Sequence, residues 1–347
     1  MTVAGAVDPA ALGQTLMHEH IFIDLRRAQA RRAGWDSPLA IEPLSLGNLW
    51  RARLGSPTAD NGFLADFDEM LSEVLEFKYA GGGTIVEVSN IGLSRDPTSL
   101  LRMSRASGLN IIMGAGWYQK NFHPVDMDER TVEDLTDVIV RDVTVGVDDT
   151  GIRSGVIGEV GVEGNPLHVN EMKSVRASGR ASRLTGAPIS FHYGGFREEK
   201  FEVLDALEEE GIEMTSVIMG HSGSITIDLP FARRLLARGV FVEFDYLCSP
   251  GSPRGRMGPV NDFKIAQGLV ALVREGYADQ ILLGHDVCTK IQLKKYGGVG
   301  YSYIPAHFLP AVSAMGVGEE DIRKIMVDNP AKALTFVEPR PALAHSG

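Results

Sequence analysis

Eight short apolar runs, each followed by a stretch of helical periodicity, constrain this chain more than any other feature. They are TLMHEH (15–20), GTIVEVS (83–89), NIIMGAG (110–116), GVIGEVG (155–161), PISFHYG (188–194), SVIMGHSG (216–223), VFVEFDY (240–246) and QILLGHD (280–286). Between them lie amphipathic patterns such as DFDEMLSEVLEFKYAGG, FEVLDALEEEG, LPFARRLLARG and FKIAQGLVALVREGY, several ending in the glycine expected just past a helix. Strands that are apolar throughout, rather than alternating, belong to a parallel sheet covered by helices on its faces. Eight such units predict an α/β fold of the (β/α)8 TIM barrel type. An open doubly wound sheet is the competing arrangement. It would call for a glycine-rich dinucleotide loop after the first strand, and HEHIFIDL (18–25) is not one.

With 347 residues and 44% hydrophobic content, the chain can bury a substantial core. We expect one barrel domain over residues 1–340, with a loose tail at 341–347. Residues 26–80 are too long for an ordinary strand-to-helix loop, which predicts an insertion acting as a lid or subunit contact, and a homodimer. A net charge of -11 argues against nucleic acid or an anionic membrane as partner and leaves a small-molecule substrate. No apolar run approaches the roughly 20 residues of a membrane span, and MTVAGAVDPAALG lacks the charged and apolar regions of a secretory signal. A cytoplasmic location and reduced Cys248 and Cys288 are the expectations.

The chemistry sits at the C-terminal ends of the predicted strands, where a barrel carries its active site. His18 and His20 share one face of the first strand, and Glu159, His192, His221 and Asp286 end the fourth, fifth, sixth and eighth. Glu159 and His192 lie 33 residues apart, and His192 and His221 lie 29 apart, each close to one strand-plus-helix unit. The seventh strand, VFVEFDY, is read as carrying no ligand. Four histidines and two carboxylates exceed what a single catalytic zinc takes, so two divalent cations bridged by a shared carboxylate fit better. Zinc is the expected metal, with Mn²⁺, Co²⁺ and Fe²⁺ suiting the same donors. The bland alternatives are a pair of core histidines at His18 and His20, a buried ion-paired Glu159, and Asp286 as a helix N-cap. Six residues falling in register favour the metal site over all three.

LGQTLMHEH, SGVIGEVGVEG, ISFHYG, IMGHSG and LLGHD, with GAGWYQ at the third strand, YGGVGYSYI after the eighth and a DNPAKAL ending, resemble the phosphotriesterase-related branch of the amidohydrolase superfamily. That branch includes lactonases, phosphotriesterase homology proteins and resiniferatoxin-binding relatives. The resemblance implies one metal held by His18, His20 and Asp286, a second held by His192 and His221, and Glu159 bridging them. Many relatives bridge with a carboxylated lysine one position earlier, where this chain has Gly158, so no lysine modification is implied. It further implies that a water activated by the metals attacks the substrate, that Asp286 is the catalytic base, and that Tyr118 orients a lactone.

Two departures bear on the substrate. The relay histidine and aspartate of the phosphotriesterases proper correspond here to Tyr246 and Ser224, which weakens an organophosphate reading. The lysine that holds phosphorylated lactones after the seventh strand has no counterpart in YLCSPGSPRGRMGP, leaving Arg254, Arg256 and Lys290 as candidate anion contacts. The expected activity is hydrolysis of a lactone or carboxylic ester, a sugar lactone among them. Phosphotriester or phosphoester hydrolysis is the alternative, and a metal-containing ligand-binding protein without turnover is the reading from another class.

Overall fold

In the computed structural model, whose described residues are 1–26, 42–56, 58–193, 198–248 and 260–340, the eight apolar runs form eight strands. These are β1 (Gln14–Glu19), β2 (Gly82–Glu87), β3 (Asn110–Ala115), β4 (Val156–Val162), β5 (Ile189–Tyr193), β6 (Val217–Met219), β7 (Phe241–Phe244) and β8 (Ile281–Leu283). Each pairs in parallel with its neighbour in chain order. The Asp286 amide donates to the His18 carbonyl at 3.0 Å and the His20 amide to the Val287 carbonyl at 3.1 Å, joining the exit of β8 to that of β1. This closure excludes the doubly wound alternative and makes the fold a (β/α)8 TIM barrel.

Seven helices follow the first seven strands: α1 (Phe67–Tyr79), α2 (Pro97–Ser107), α3 (Val132–Thr144), α4 (Val169–Thr185), α5 (Glu199–Glu209), α6 (Leu229–Leu236) and α7 (Asp262–Arg274). Their starts are set locally. Asp66, Asp96, Asp228 and Asn261 accept a backbone N–H of the first turn, and Thr131 with Asp134 forms a capping box. Shorter helical turns after β8 include Asn329–Ala333, the DNPAKAL segment.

Met17, Val86, Ile112, Val156, Ile218, Phe241 and Leu282 form one apolar cluster drawn from every strand except β5, and this fills the barrel interior. A larger cluster takes the opposite faces of the strands, with Leu16, Ile85, Ile111, Ile157, Phe191 and Val242 packing outward against the helices. The polar site lies at the strand ends above the interior plug.

Within residues 26–80, α1 is the barrel's own first helix. The described remainder includes Phe63–Leu64, which pairs antiparallel with Ile23–Asp24, and a helical turn at Leu49–Ala52. Leu44 and Ala52 pack on Ile291, and Asp60 accepts from Lys290 at 2.7 Å, so this segment rests on the chain leaving β8. Cys248 and Cys288 are not joined by a disulfide. Among the described residues no helix is long and apolar enough to cross a membrane. The tail 341–347 lies outside the described residues.

Lys200, in the first turn of α5, is 3% exposed, and its Nζ sits 3.9 Å from the centre of the Tyr193 ring with no hydrogen-bond partner among the described residues. Burial pulls its pKa down from 10.5 to about 7, opposed by Asp245. Between those values the unfolded chain binds a proton that the folded chain does not, so this residue's contribution makes stability rise with pH from 7 towards 10.5. Lys200→Met keeps the apolar stem and removes the ammonium. Thermal melts across that range are expected to show a gain of roughly 1–4 kcal/mol at pH 7, fading by pH 10.

Candidate metal centre

All six expected ligands meet at the C-terminal mouth of the barrel, and Glu159 is their common point. One of its oxygens, Oε2, lies 3.1 Å from His18 Nε2 and 2.8 Å from His192 Nδ1, while Oε1 lies 3.3 Å from His20 Nε2. Asp286 Oδ1 is 3.2 Å from His20 Nε2 and 4.0 Å from His18 Nε2. His221 Nε2 is 2.6 Å from His192 Nδ1 and 4.0 Å from Glu159 Oε2. Two trios result, His18–His20–Glu159 and Glu159–His192–His221, in each of which the donor atoms lie within 4.8 Å of one another.

Plain strand geometry does not produce this convergence. The β1–β2 register shifts between Leu16 and Glu19, and the β4–β5 register shifts between Ile157 and Val160. The first shift lets His18 face inward directly after the inward Met17; the second does the same for Glu159. His221 and Asp286 stand just past β6 and β8 in left-handed backbone, with φ of 51° and 56°. Such conformations cost energy for residues with a Cβ and cluster at functional sites.

His20, His221 and His192 are each contacted from behind. His20 Nδ1 donates to Ser89 Oγ at 2.9 Å, and that hydroxyl donates to Glu87 Oε1 at 2.6 Å. Asp245 accepts both the backbone amide of His221 at 2.8 Å and its Nδ1–H at 2.9 Å. The Tyr246 ring stacks on His221, with centroids 4.2 Å apart. Tyr118 Oη lies 3.1 Å from the His192 ring nitrogens, and His123 Nε2 donates to the Tyr118 carbonyl at 2.8 Å. Glu19, facing away from the centre, accepts from the amides of His285 and Val287 and from His285 Nδ1. His285 is thus structural, as its position opposite Asp286 predicts.

The charges are unbalanced. Burial pushes the Glu159 carboxyl up, but His192 and His18 outweigh it and hold the group well below the usual range. Burial lowers His20, yet hydrogen bonds to Asp286 and Glu159 raise it to about 10; His18 is likewise raised well above its usual value against burial, by Glu159, Glu243 and Asp245. Burial and the neighbouring His221 lower His192. Burial, then Glu159, Tyr246 and Asp286, push Tyr118 far up, so it remains a phenol that can donate. The carboxylates demand positive charge at the very imidazole nitrogens whose lone pairs can bind a metal. Imidazole nitrogens and carboxylate oxygens are also the donors that divalent zinc, cobalt or manganese accept, so the residues fit such ions.

Other expected residues fare variously. Lys290 is engaged with Asp60, while Arg254 and Arg256 lie outside the described residues. Trp117 is buried in the core, 1% exposed. VFVEFDY, read as carrying no ligand, nevertheless reaches the site. Glu243 and Asp245, both 0% exposed, approach His18 Nδ1 at 3.5 and 3.4 Å, and His18, His221 and Asp245 make a third trio of possible metal-ligand geometry. The signal was present in two acids spaced i, i+2 in an otherwise apolar strand. Glu87 carried the same kind of signal, an acid in the apolar run GTIVEVS, and Ser89 carried none.

A closed parallel barrel with a histidine–carboxylate cluster at its C-terminal mouth defines a class, the TIM-barrel hydrolases that act through metal ions. Within it the chain belongs to the phosphotriesterase family, whose model matches residues 1–334. It is 33% identical over 351 residues to the N-acetyltaurine hydrolase of Danio rerio, covering 96% of this chain and 97% of that one. Among solved structures, a resiniferatoxin-binding protein from Rhodobacter sphaeroides superposes with a TM-score of 0.88 at 34% identity, over 96% of this chain and 94% of that one. A lactonase from Listeria monocytogenes follows at 0.81 and 25%, over 97% and 99%.

Gly158 holds Glu159 in place from the preceding position. Its φ is 152°, and a Cβ there would fall 2.4 Å from the Ser190 carbonyl oxygen of β5. A side chain there does not fit without moving β5. Gly158→Ala is expected to cost about 1–3 kcal/mol in denaturant unfolding and to lower divalent-metal content by displacing Glu159.

Proposed function

We propose that the chain is a two-metal hydrolase that adds water across a carboxylic acyl bond, in an ester, a lactone or an N-acyl amide. The observation that carries this reading is the sharing of Glu159 by two nitrogen-rich trios with Asp286 beside them. His18, His20 and Asp286 would hold one divalent cation and His192 and His221 the other, with Glu159 between. Bound there, the pair would supply Lewis acidity and a water deprotonated near neutral pH.

The remaining steps belong to side chains. Asp286 takes the proton released as the water oxygen bonds to the carbonyl carbon, then delivers it to the departing oxygen or nitrogen as the acyl bond breaks. Tyr118, a buried phenol against His192, donates to the substrate's carbonyl oxygen and orients it. The amide branch is supported by the relatives named N-acetyltaurine hydrolase at 33–34% identity over 96% of this chain. The ester and lactone branch is supported more distantly, by the 25%-identical lactonase. Phosphotriester hydrolysis is disfavoured by Tyr246, stacked on His221 where a relay histidine would stand.

The metal-loaded chain should be assayed against N-acetyltaurine and other N-acyl amino acids, a lactone series, carboxylic esters and a phosphotriester. Turnover of at least one acyl substrate is expected, reduced by about 10²–10⁴ in Asp286→Asn. Turnover confined to the phosphotriester would refute the acyl reading, and binding without turnover of any compound would favour the binder. Metal analysis of the purified chain should return about two divalent ions, and extensive chelation should abolish activity until metal is restored.

A further inference from the structure

Glu243 is the least explained buried group in the molecule. It lies on β7 beneath the site, 0% exposed, and among the described residues neither carboxyl oxygen has a hydrogen-bond partner. It faces His18 Nδ1, itself without a closed hydrogen bond, at 3.5 Å. A buried, unpartnered carboxyl is a net cost to the fold, and an apolar side chain of similar size would serve packing better. Phe241, two residues earlier on the same inward face, shows that the interior accepts such residues.

Of the other three histidines, two have a tautomer fixed by an oxygen acceptor, and the third packs against a phenol. Ser89 takes His20 Nδ1–H, Asp245 takes His221 Nδ1–H, and Tyr118 contacts the His192 ring. Asp245 already spends one oxygen on the His221 ring and the other on the His221 amide. It approaches His18 Nδ1 at 3.4 Å only through that second oxygen. His18 is therefore left with Glu243 as its one uncommitted acceptor. Ligating histidines commonly donate their second ring N–H to a carboxylate, which sets the tautomer and ring orientation.

We infer that Glu243 is a positioning residue that accepts His18 Nδ1–H, so that Nε2 is presented towards Glu159 and the metal pair. The inference rests on the two-metal reading above and adds β7 to it as the floor that orients the ligands. Glu243 touches neither substrate nor reacting atoms.

Three forms of the full chain decide it: wild type, Glu243→Leu and Glu243→Gln. Zinc affinity is measured by competition with a chelator, the visible spectrum is recorded after loading with Co²⁺, and the metal-free forms are melted. In Glu243→Leu, zinc affinity is expected to fall by about 10–100-fold and the Co²⁺ spectrum to change, while the metal-free Tm stays level or rises. In Glu243→Gln, whose amide oxygen can still accept the N–H, affinity should recover most of that loss. Wild-type zinc affinity and spectrum in Glu243→Leu would overturn the inference. So would a fall in its metal-free Tm that accounts for the lost metal, since that marks a purely structural acid. A wild-type chain that takes up no divalent cation would sink the two-metal reading itself and the inference with it, whereas the preceding outcomes sink the inference alone.

Discussion

One carboxylate organises this molecule. Glu159 is buried at the centre of four imidazoles contributed by β1, β5 and the exit of β6, and its two oxygens reach different partners. Removing a carboxylate from water is costly unless positive charge or hydrogen-bond donors replace the solvent. Here the replacement comes from side chains 141 residues apart in sequence at the extreme, His18 and Glu159. In this fold the strands meet across one carboxylate because the barrel closes, with the Asp286 amide bonded to the His18 carbonyl, so the closure of β8 onto β1 also places the chemistry of the mouth.

The barrel pays for this convergence with local irregularity. A regular strand points alternate residues inward, and the interior cluster built on Met17, Ile112, Val156, Ile218 and Leu282 follows that rule. The next layer up does not. Register shifts in β1 and β4 and left-handed residues at His221 and Asp286 each turn a side chain inward one step out of phase. The surrounding structure determines these conformations fully: the amides of Asp286 and His221 are both bonded, the first to the His18 carbonyl and the second to Asp245. Hydrogen bonds that themselves link site residues hold this strained backbone and keep the donor atoms close.

Much of this was legible in the sequence, for identifiable reasons. Apolar runs of strand length alternating with amphipathic helices can be read directly, because parallel strands are buried on both faces and cannot hide their pattern. The six site residues stood out because polar groups at the ends of such runs need an explanation. Glu243 and Asp245 escaped although they obey the same rule. The count of donors was already satisfied without them, and nothing in a linear sequence says that β7 passes beneath β1's histidine. Glu87 obeys that rule too, as an acid at the end of the apolar run of β2, whereas Ser89 carried no signal, and the role of both appears only in the chain of hydrogen bonds to His20. The irregular backbone at positions 158, 221 and 286 was equally silent, apart from the glycines at 158, 220 and 284 that precede three site residues or their neighbours.

The distribution of acids also links stability to cation binding. Glu159, Asp286, Glu243 and Asp245 lie within one buried region, and burial pushes Glu243 up to about 7 against the pull of His18. On the two-metal reading, the metal-free chain must meet this negative charge with protons on His18 and His20, which leaves donors facing each other across the mouth. Divalent ions would replace those protons, relieve the imidazole contacts and bind the folded chain far better than the unfolded one, whose ligands are scattered over 269 positions from His18 to Asp286. Anything that binds only the folded state adds to its stability in proportion to the logarithm of its concentration over its dissociation constant. On that reading, a barrel that tolerates a shared carboxylate, a strained mouth and an unpartnered acid on its floor would be one whose cations are part of the fold as well as of the chemistry.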